Sequence, residues 1–146
     1  MIYRIVIDTN VLVSAVLNPH GKPAAILDAV IDGDLSLIFS PAMLEEAKRV
    51  FAYPKIQKIL KKNRISFKEV NNFIDRLNKT AIIVPGQTIP DVIKDDPADN
   101  IVLACALEGK AHYIVSGDQH LIRLETYQTI EIVKPAFFLS LLKKDV

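Results

Sequence analysis

Five short β-rich apolar runs, each separated from the next by helical sequence, constrain this chain more than any other feature it carries. Ile2-Tyr-Arg-Ile-Val-Ile7 opens the series, and Leu35–Phe39, Ala81–Val84, Tyr113–Ser116 and Thr129–Val133 continue it. The opening run is near-continuously apolar, as in strands covered on both faces. Between the runs lie helical stretches at Thr9–Leu17, Lys22–Asp32, Pro41–Ala52, Pro54–Lys62, Ser66–Lys79, Pro97–Glu108, Asp118–Glu125 and Pro135–Lys144. Ile56, Ile59 and Leu60, and then Phe67, Val70, Phe73, Ile74 and Leu77, follow the i, i+3, i+4 spacing of amphipathic helices. Ser40-Pro41 reads as an N-cap followed by proline at the first helical position, and Gly33 and Gly109 read as helix stops. Alternation of this kind predicts an α/β fold in three α/β/α layers, built on a mostly parallel five-stranded sheet. At 146 residues, without a repeat, linker or low-complexity stretch, residues 1–146 read as one domain with a basic helical pair at about 54–79.

Composition excludes several classes. Half the residues are hydrophobic and 24% are charged, as in ordinary globular chains. The single cysteine, Cys105, forbids an intramolecular disulfide and a cysteine-rich zinc site, and its apolar helical setting reads as a small buried hydrophobe. Arg4, Asp8 and Asn10 interrupt the longest apolar candidate, Ile2–Leu17, which removes a membrane span and a signal peptide and leaves the cytoplasm as the expected location. The net charge of +1 conceals segregation: Lys48–Lys79 holds ten bases and two acids, whereas Met1–Ala47 holds six acids and two bases and Ala81–Glu131 eight acids and three bases. The basic stretch is either a set of phosphate contacts, with Lys58, Lys61 and Lys62 foremost, or the solvated face of two surface helices.

Open parallel sheets carry reactive groups beyond the carboxyl ends of their strands. Asp8 directly follows the first run, Asp118 follows the fourth after one glycine, and Asp99 falls in the first turn of the helix begun at Pro97. Each has an alternative reading as a helix cap or a first-turn acid, strongest for Asp96-Pro-Ala-Asp99. Capping does not account for three acids converging on one sheet edge. At about 100° per residue Glu46 borders the apolar face of its helix while Glu45 points away, so Glu46 is the fourth candidate acid. Neighbouring carboxylates repel unless a cation neutralises them, and all-oxygen donors indicate Mg²⁺ or Mn²⁺. His20, His112 and His120 are scattered and read as partly exposed polar residues. Nucleotide-binding glycine loops and the G-x-S-x-G elbow are absent.

These residues resemble the PIN (PilT N-terminal) domain nucleases, in particular the VapC-like toxins of type II toxin–antitoxin systems. Val6-Ile-Asp-Thr-Asn-Val-Leu-Val13 is similar to the first family motif and Ser40-Pro-Ala-Met-Leu-Glu-Glu46 to the second. Asp95-Asp-Pro-Ala-Asp-Asn-Ile-Val-Leu-Ala-Cys-Ala106 is similar to the third and Ile114-Val-Ser-Gly-Asp118 to the fourth. The resemblance implies that Asp8, Glu46, Asp99 and Asp118 form an acidic Mg²⁺ or Mn²⁺ site, with Asn10 and Ser116 as supporting polar residues and Asp96 as a cap or outer group. It further implies a metal-dependent endoribonuclease, an RNA substrate, an antitoxin partner and a homodimer. Two other readings stand beside it. A phosphatase with Asp8 as nucleophile, as in haloacid dehalogenase-like proteins, would need a second aspartate where Asn10 stands. An RNA-binding or antitoxin-binding module with negligible turnover is the reading outside the enzyme class.

Overall fold

The computed structural model describes residues 2–88 and 97–144. The chain runs β1 (Arg4–Ile7), α1 (Thr9–Leu17), α2 (Lys22–Ile31), β2 (Ser36–Phe39), α3 (Pro41–Phe51), α4 (Pro54–Lys62), α5 (Phe67–Thr80), β3 (Ile82–Ile83), α6 (Pro97–Glu108), β4 (Tyr113–Val115), α7 (Gln119–Leu124), β5 (Thr126–Tyr127), β6 (Ile130–Val133) and α8 (Pro135–Lys144). The strands form one sheet in the order β3-β2-β1-β4-β6-β5. All pairings are parallel except β5 with β6.

The sheet has six strands, correcting the expected five. The additional strand, β5, is two residues long and folds back on β6 through Gln128-Thr129, with Gln128 at φ +54°. Hairpins of this length normally place Gly or Asn at such a position, so the turn leaves no recognisable signal. The predicted strand at Ala81–Val84 shrinks to Ile82–Ile83 at the sheet edge, where both side chains are about half exposed.

Ile5, Val6, Leu37, Ile38, Ile114 and Val115 fill the centre of the sheet. Leu12, Ile26 and Phe138 join the same core from α1, α2 and α8, and Leu103, Cys105 and Ala106 join it from α6. The basic pair α4 and α5 buries Leu60, Val70 and Ile74 in a smaller second core with Val13, Val50 and Phe51. Among the described residues, no helix is long and apolar enough to cross a membrane.

Strand order places the switch point between β1 and β4. The chain steps from β1 to β2 on one side and returns through α6 to β4 on the other, leaving a crevice outside the carboxyl ends of these strands. Asp8 follows the last residue of β1, and Ser116-Gly-Asp118 follows the last residue of β4.

Candidate active site

Four polar or charged residues are buried among the described residues: Asp8, Ser40, Asp99 and Ser116. Ser40 caps α3 by accepting from the Met43 N–H at 3.3 Å, while the other three stand beside the crevice. Three buried polar residues at a single sheet edge are costly to solvate poorly, so their hydrogen-bond partners describe the site.

Asp8 is fixed by both carboxylate oxygens. Oδ1 accepts from the Val11 N–H at 3.0 Å, capping α1, and Oδ2 accepts from the Ser116 hydroxyl. Ser116 also accepts from the Asp118 N–H at 3.0 Å, so one hydroxyl ties the end of β1 to the end of β4. The Asp8 N–H donates to the Val115 carbonyl at 3.1 Å, continuing the β1–β4 ladder to the acid itself. Burial raises the Asp8 carboxyl above the usual carboxylate range, the nearby Asp118 charge adds to the rise, and the Ser116 and Val11 hydrogen bonds oppose it.

Asp118 caps α7, with Oδ1 accepting from the His120 N–H at 2.8 Å. Asp99 reaches the same edge from the first turn of α6 and is buried. One oxygen each from Asp99 and Asp118 and a ring nitrogen of His120 lie within 4.8 Å of one another. Sequence reasoning passed over His120; an exposed histidine in a first turn has no periodic or spacing signal. Asp118, His120 and Asn10 line a cleft of about 550 Å³, with Ser14 and Gln119 on its wall.

Glu46 and Asp8 fall outside that three-residue group. The Glu46 side chain is only 16% exposed and, through Oε2, pairs with Arg49 Nη1 at 2.6 Å, while Glu45 is exposed as the helical geometry predicts. Asp96 lies outside the described residues. Lys58 and Lys61 line a different cavity, between α3, α4 and α5, that shares no lining residue with the acidic cleft.

Cys105 is buried, and burial pushes its thiol up to about 12, consistent with a packing residue. His112 is also structural: its Nδ1 accepts from the Arg4 N–H at 2.9 Å, and burial followed by the Arg4 charge lowers its pKa.

The donor set fits a divalent cation. Asp99 and Asp118 bring carboxylate oxygens from two elements within 4.8 Å of each other, and Asp8, outside that group, is near enough to Asp118 for the two charges to repel. A dipositive ion there removes the repulsion that the fold otherwise sustains.

Comparison with known proteins agrees with this geometry. A protein-family model described as the PIN domain matches residues 4–120, from β1 to the start of α7. An uncharacterized protein of Methanocaldococcus jannaschii is 34% identical over 122 residues, spanning 83% of this chain and 74% of that protein. Matched over most of its length, with its acids at the sheet edge of a nuclease fold whose members generally use divalent metal ions, the chain belongs to the PIN domain family.

Proposed function

We propose that the protein is a Mg²⁺- or Mn²⁺-dependent endoribonuclease, acting as the toxin of a toxin–antitoxin pair. The observation that carries the catalytic part is the approach of Asp99 and Asp118 at the β1–β4 crevice, with Asp8 near enough to Asp118 for their charges to interact. Asp99 and Asp118 would hold the metal, with Asp8 beside them and Glu46 on α3, paired here with Arg49, as the fourth candidate acid. A bound divalent cation supplies an activated water and stabilises the leaving oxygen of a phosphodiester. Ser116 holds Asp8 and the Asp118 backbone in register, and Asn10 lines the cleft where the substrate backbone would lie.

The basic helices support the RNA and partner assignments. Lys58, Lys61 and Lys62 on α4 offer phosphate contacts next to a nuclease domain whose acids repel RNA. The cavity of about 790 Å³ between α3, α4 and α5 has Phe51, Leu60 and Ile74 behind Lys48, Lys58 and Lys61. An amphipathic acidic helix of an antitoxin matches that combination of apolar floor and basic rim. Such a partner covers Lys58 and Lys61 and competes with RNA for them.

The test is cleavage of single-stranded and structured RNAs in Mn²⁺, Mg²⁺ or EDTA, comparing wild type with Asp99→Asn. Cleavage that requires metal and falls by about 10²-fold or more in the variant is expected, since one group stabilising transition-state charge is worth that much. Equal cleavage by the folded variant would refute the assignment. Glu substitutions at Lys58, Lys61 and Lys62 should weaken RNA binding and flatten its salt dependence; an unchanged salt slope removes the lysines from the RNA path.

A further inference from the structure

We propose that His120 is a ligand of the same divalent cation, giving the centre a nitrogen donor and a preference for first-row transition ions over Mg²⁺. The inference rests on the nuclease reading and deepens it. His120 Nδ1 stands 3.7 Å from Asp99 Oδ2 and 3.8 Å from Asp118 Oδ1. Both separations are too long for hydrogen bonds, whose donor–acceptor distances end near ~3.2 Å. They fall between the roughly 3 Å and about 4.2 Å that separate adjacent and opposite octahedral ligands placed about 2.1 Å from one metal, so a shift of about 1 Å or less in the exposed ring brings its nitrogen to coordination spacing. The nitrogen therefore faces both carboxylates at ion-pair distance, close enough for one cation to sit among the three groups.

Local structure fixes this placement. Asp118 is the N-cap of α7, and its Oδ1 accepts from the His120 N–H, so the cap holds the His120 backbone beside the carboxylate. Asp99 arrives from α6, a separate element, so the two acids and the ring do not meet merely as chain neighbours. The ring lines the cleft and is 53% exposed, which lets it turn toward an ion without disturbing the core. Mg²⁺ takes oxygen ligands and keeps much of its water, whereas imidazole strengthens binding along the series from Mn²⁺ to Co²⁺. A site of carboxylates alone lacks that discrimination.

Mn²⁺ bound to the full chain tests the assignment without any RNA. Pulsed electron paramagnetic resonance should show nitrogen modulation of the Mn²⁺ echo in wild type and none in His120→Gln. Equilibrium binding should show the Mn²⁺ Kd rising about tenfold or more in His120→Gln, with the Mg²⁺ Kd changing by less than about threefold. Asp99→Asn should weaken both ions. Asp99-dependent Mn²⁺ binding without nitrogen modulation, or equal weakening of both ions by His120→Gln, overturns the His120 assignment and leaves the nuclease reading standing. Wild-type protein that binds no Mn²⁺, or binds it equally well as Asp99→Asn, overturns the metal site and this inference together. Circular dichroism of His120→Gln confirms that the comparison concerns folded protein.

Discussion

Gly109→Ala tests how α6, which carries Asp99, is held against the sheet. As a residue just after a helix, Gly109 reads as a terminator that supplies a left-handed turn. The structure gives that turn to Lys110 at φ +52°, while Gly109 has no positive φ. The Ala111 N–H donates to the Ala106 carbonyl at 2.9 Å and the Lys110 N–H to the Leu107 carbonyl at 3.2 Å, so the helix closes in a Schellman motif centred on lysine. Gly109 is needed for space. A Cβ there would stand 2.4 Å from Ile38 Cγ2 and 2.6 Å from Ile38 Cδ1, against ordinary carbon contacts of ~3.5–4.0 Å. Ile38 is fully buried in β2, so roughly 1 Å of separation must come from strand or helix. Overpacking of this kind costs about 1–3 kcal/mol, offset by about 0.4–1 kcal/mol from a less flexible unfolded chain. The net loss of about 0–2.6 kcal/mol corresponds to a Tm fall of up to about 10 °C in a chain of this size. Thermal and urea denaturation of Gly109→Ala, Ile38→Ala and the double variant form the assay. In the Ile38→Ala background the added methyl fills space, and Gly109→Ala should become neutral or stabilising. A wild-type background in which Gly109→Ala raises the Tm would refute the contact argument, because only an unobstructed glycine at ordinary φ behaves so.

Two predictions concern buried acids and thiols. Because the Asp8 pKa is raised in the folded state, its contribution to stability is full below the unfolded value near ~3.9 and is lost as pH rises through the folded value. In EDTA, Tm plotted against pH should therefore fall away for wild type relative to Asp8→Asn above about pH 4; parallel curves would show that Asp8 is not desolvated as described. Cys105, with its thiol at about 12, should resist thiol reagents in native protein at neutral pH and react fully once denatured. Rapid native labelling would contradict its burial.

The central strands and their helical cover were legible because strong local signals bound them. Ile2–Ile7 ends at Asp8, Leu35–Phe39 ends at a Ser40-Pro41 cap, and the amphipathic stripe of α5 begins at a Ser66–Glu69 capping box. What stayed hidden was structure made by context. The hairpin that adds β5 turns at Gln128, a residue with no turn preference, and is held by pairing with β6. At the crevice, Ser116 entered through the family resemblance, and Asp8, Asp99 and Asp118 stood out as acids at strand ends and a helix start. His120 did not, because its role depends on Asp99 arriving from a helix twenty-one positions earlier in the chain. The pairing of Glu46 with Arg49 is an ordinary i, i+3 contact, and helix geometry alone cannot say whether such a carboxylate faces a base or a cleft.

Capping and the proposed metal binding can share the same carboxylates rather than compete for them. Asp8 caps α1 with Oδ1, and this bond, together with the Ser116 hydroxyl on Oδ2, fixes the orientation of the whole group. Asp118 caps α7 and in doing so draws the His120 backbone to its side. A helix N-terminus already favours negative charge, so each acid keeps part of its solvation after leaving water. The cap bonds lower the cost of a buried carboxylate; at Asp8 burial still outweighs them. That residual charge cost is what a dipositive ion relieves, which makes the strand-end caps of a parallel sheet a natural place to assemble a metal centre. The same logic predicts that Ser116→Ala, which removes the hydroxyl bond holding Asp8 Oδ2 without removing any acid, should weaken Mn²⁺ binding while leaving the number of carboxylates unchanged. Unaltered binding by a folded Ser116→Ala protein would separate the caps from the metal site and restore them to a purely structural role.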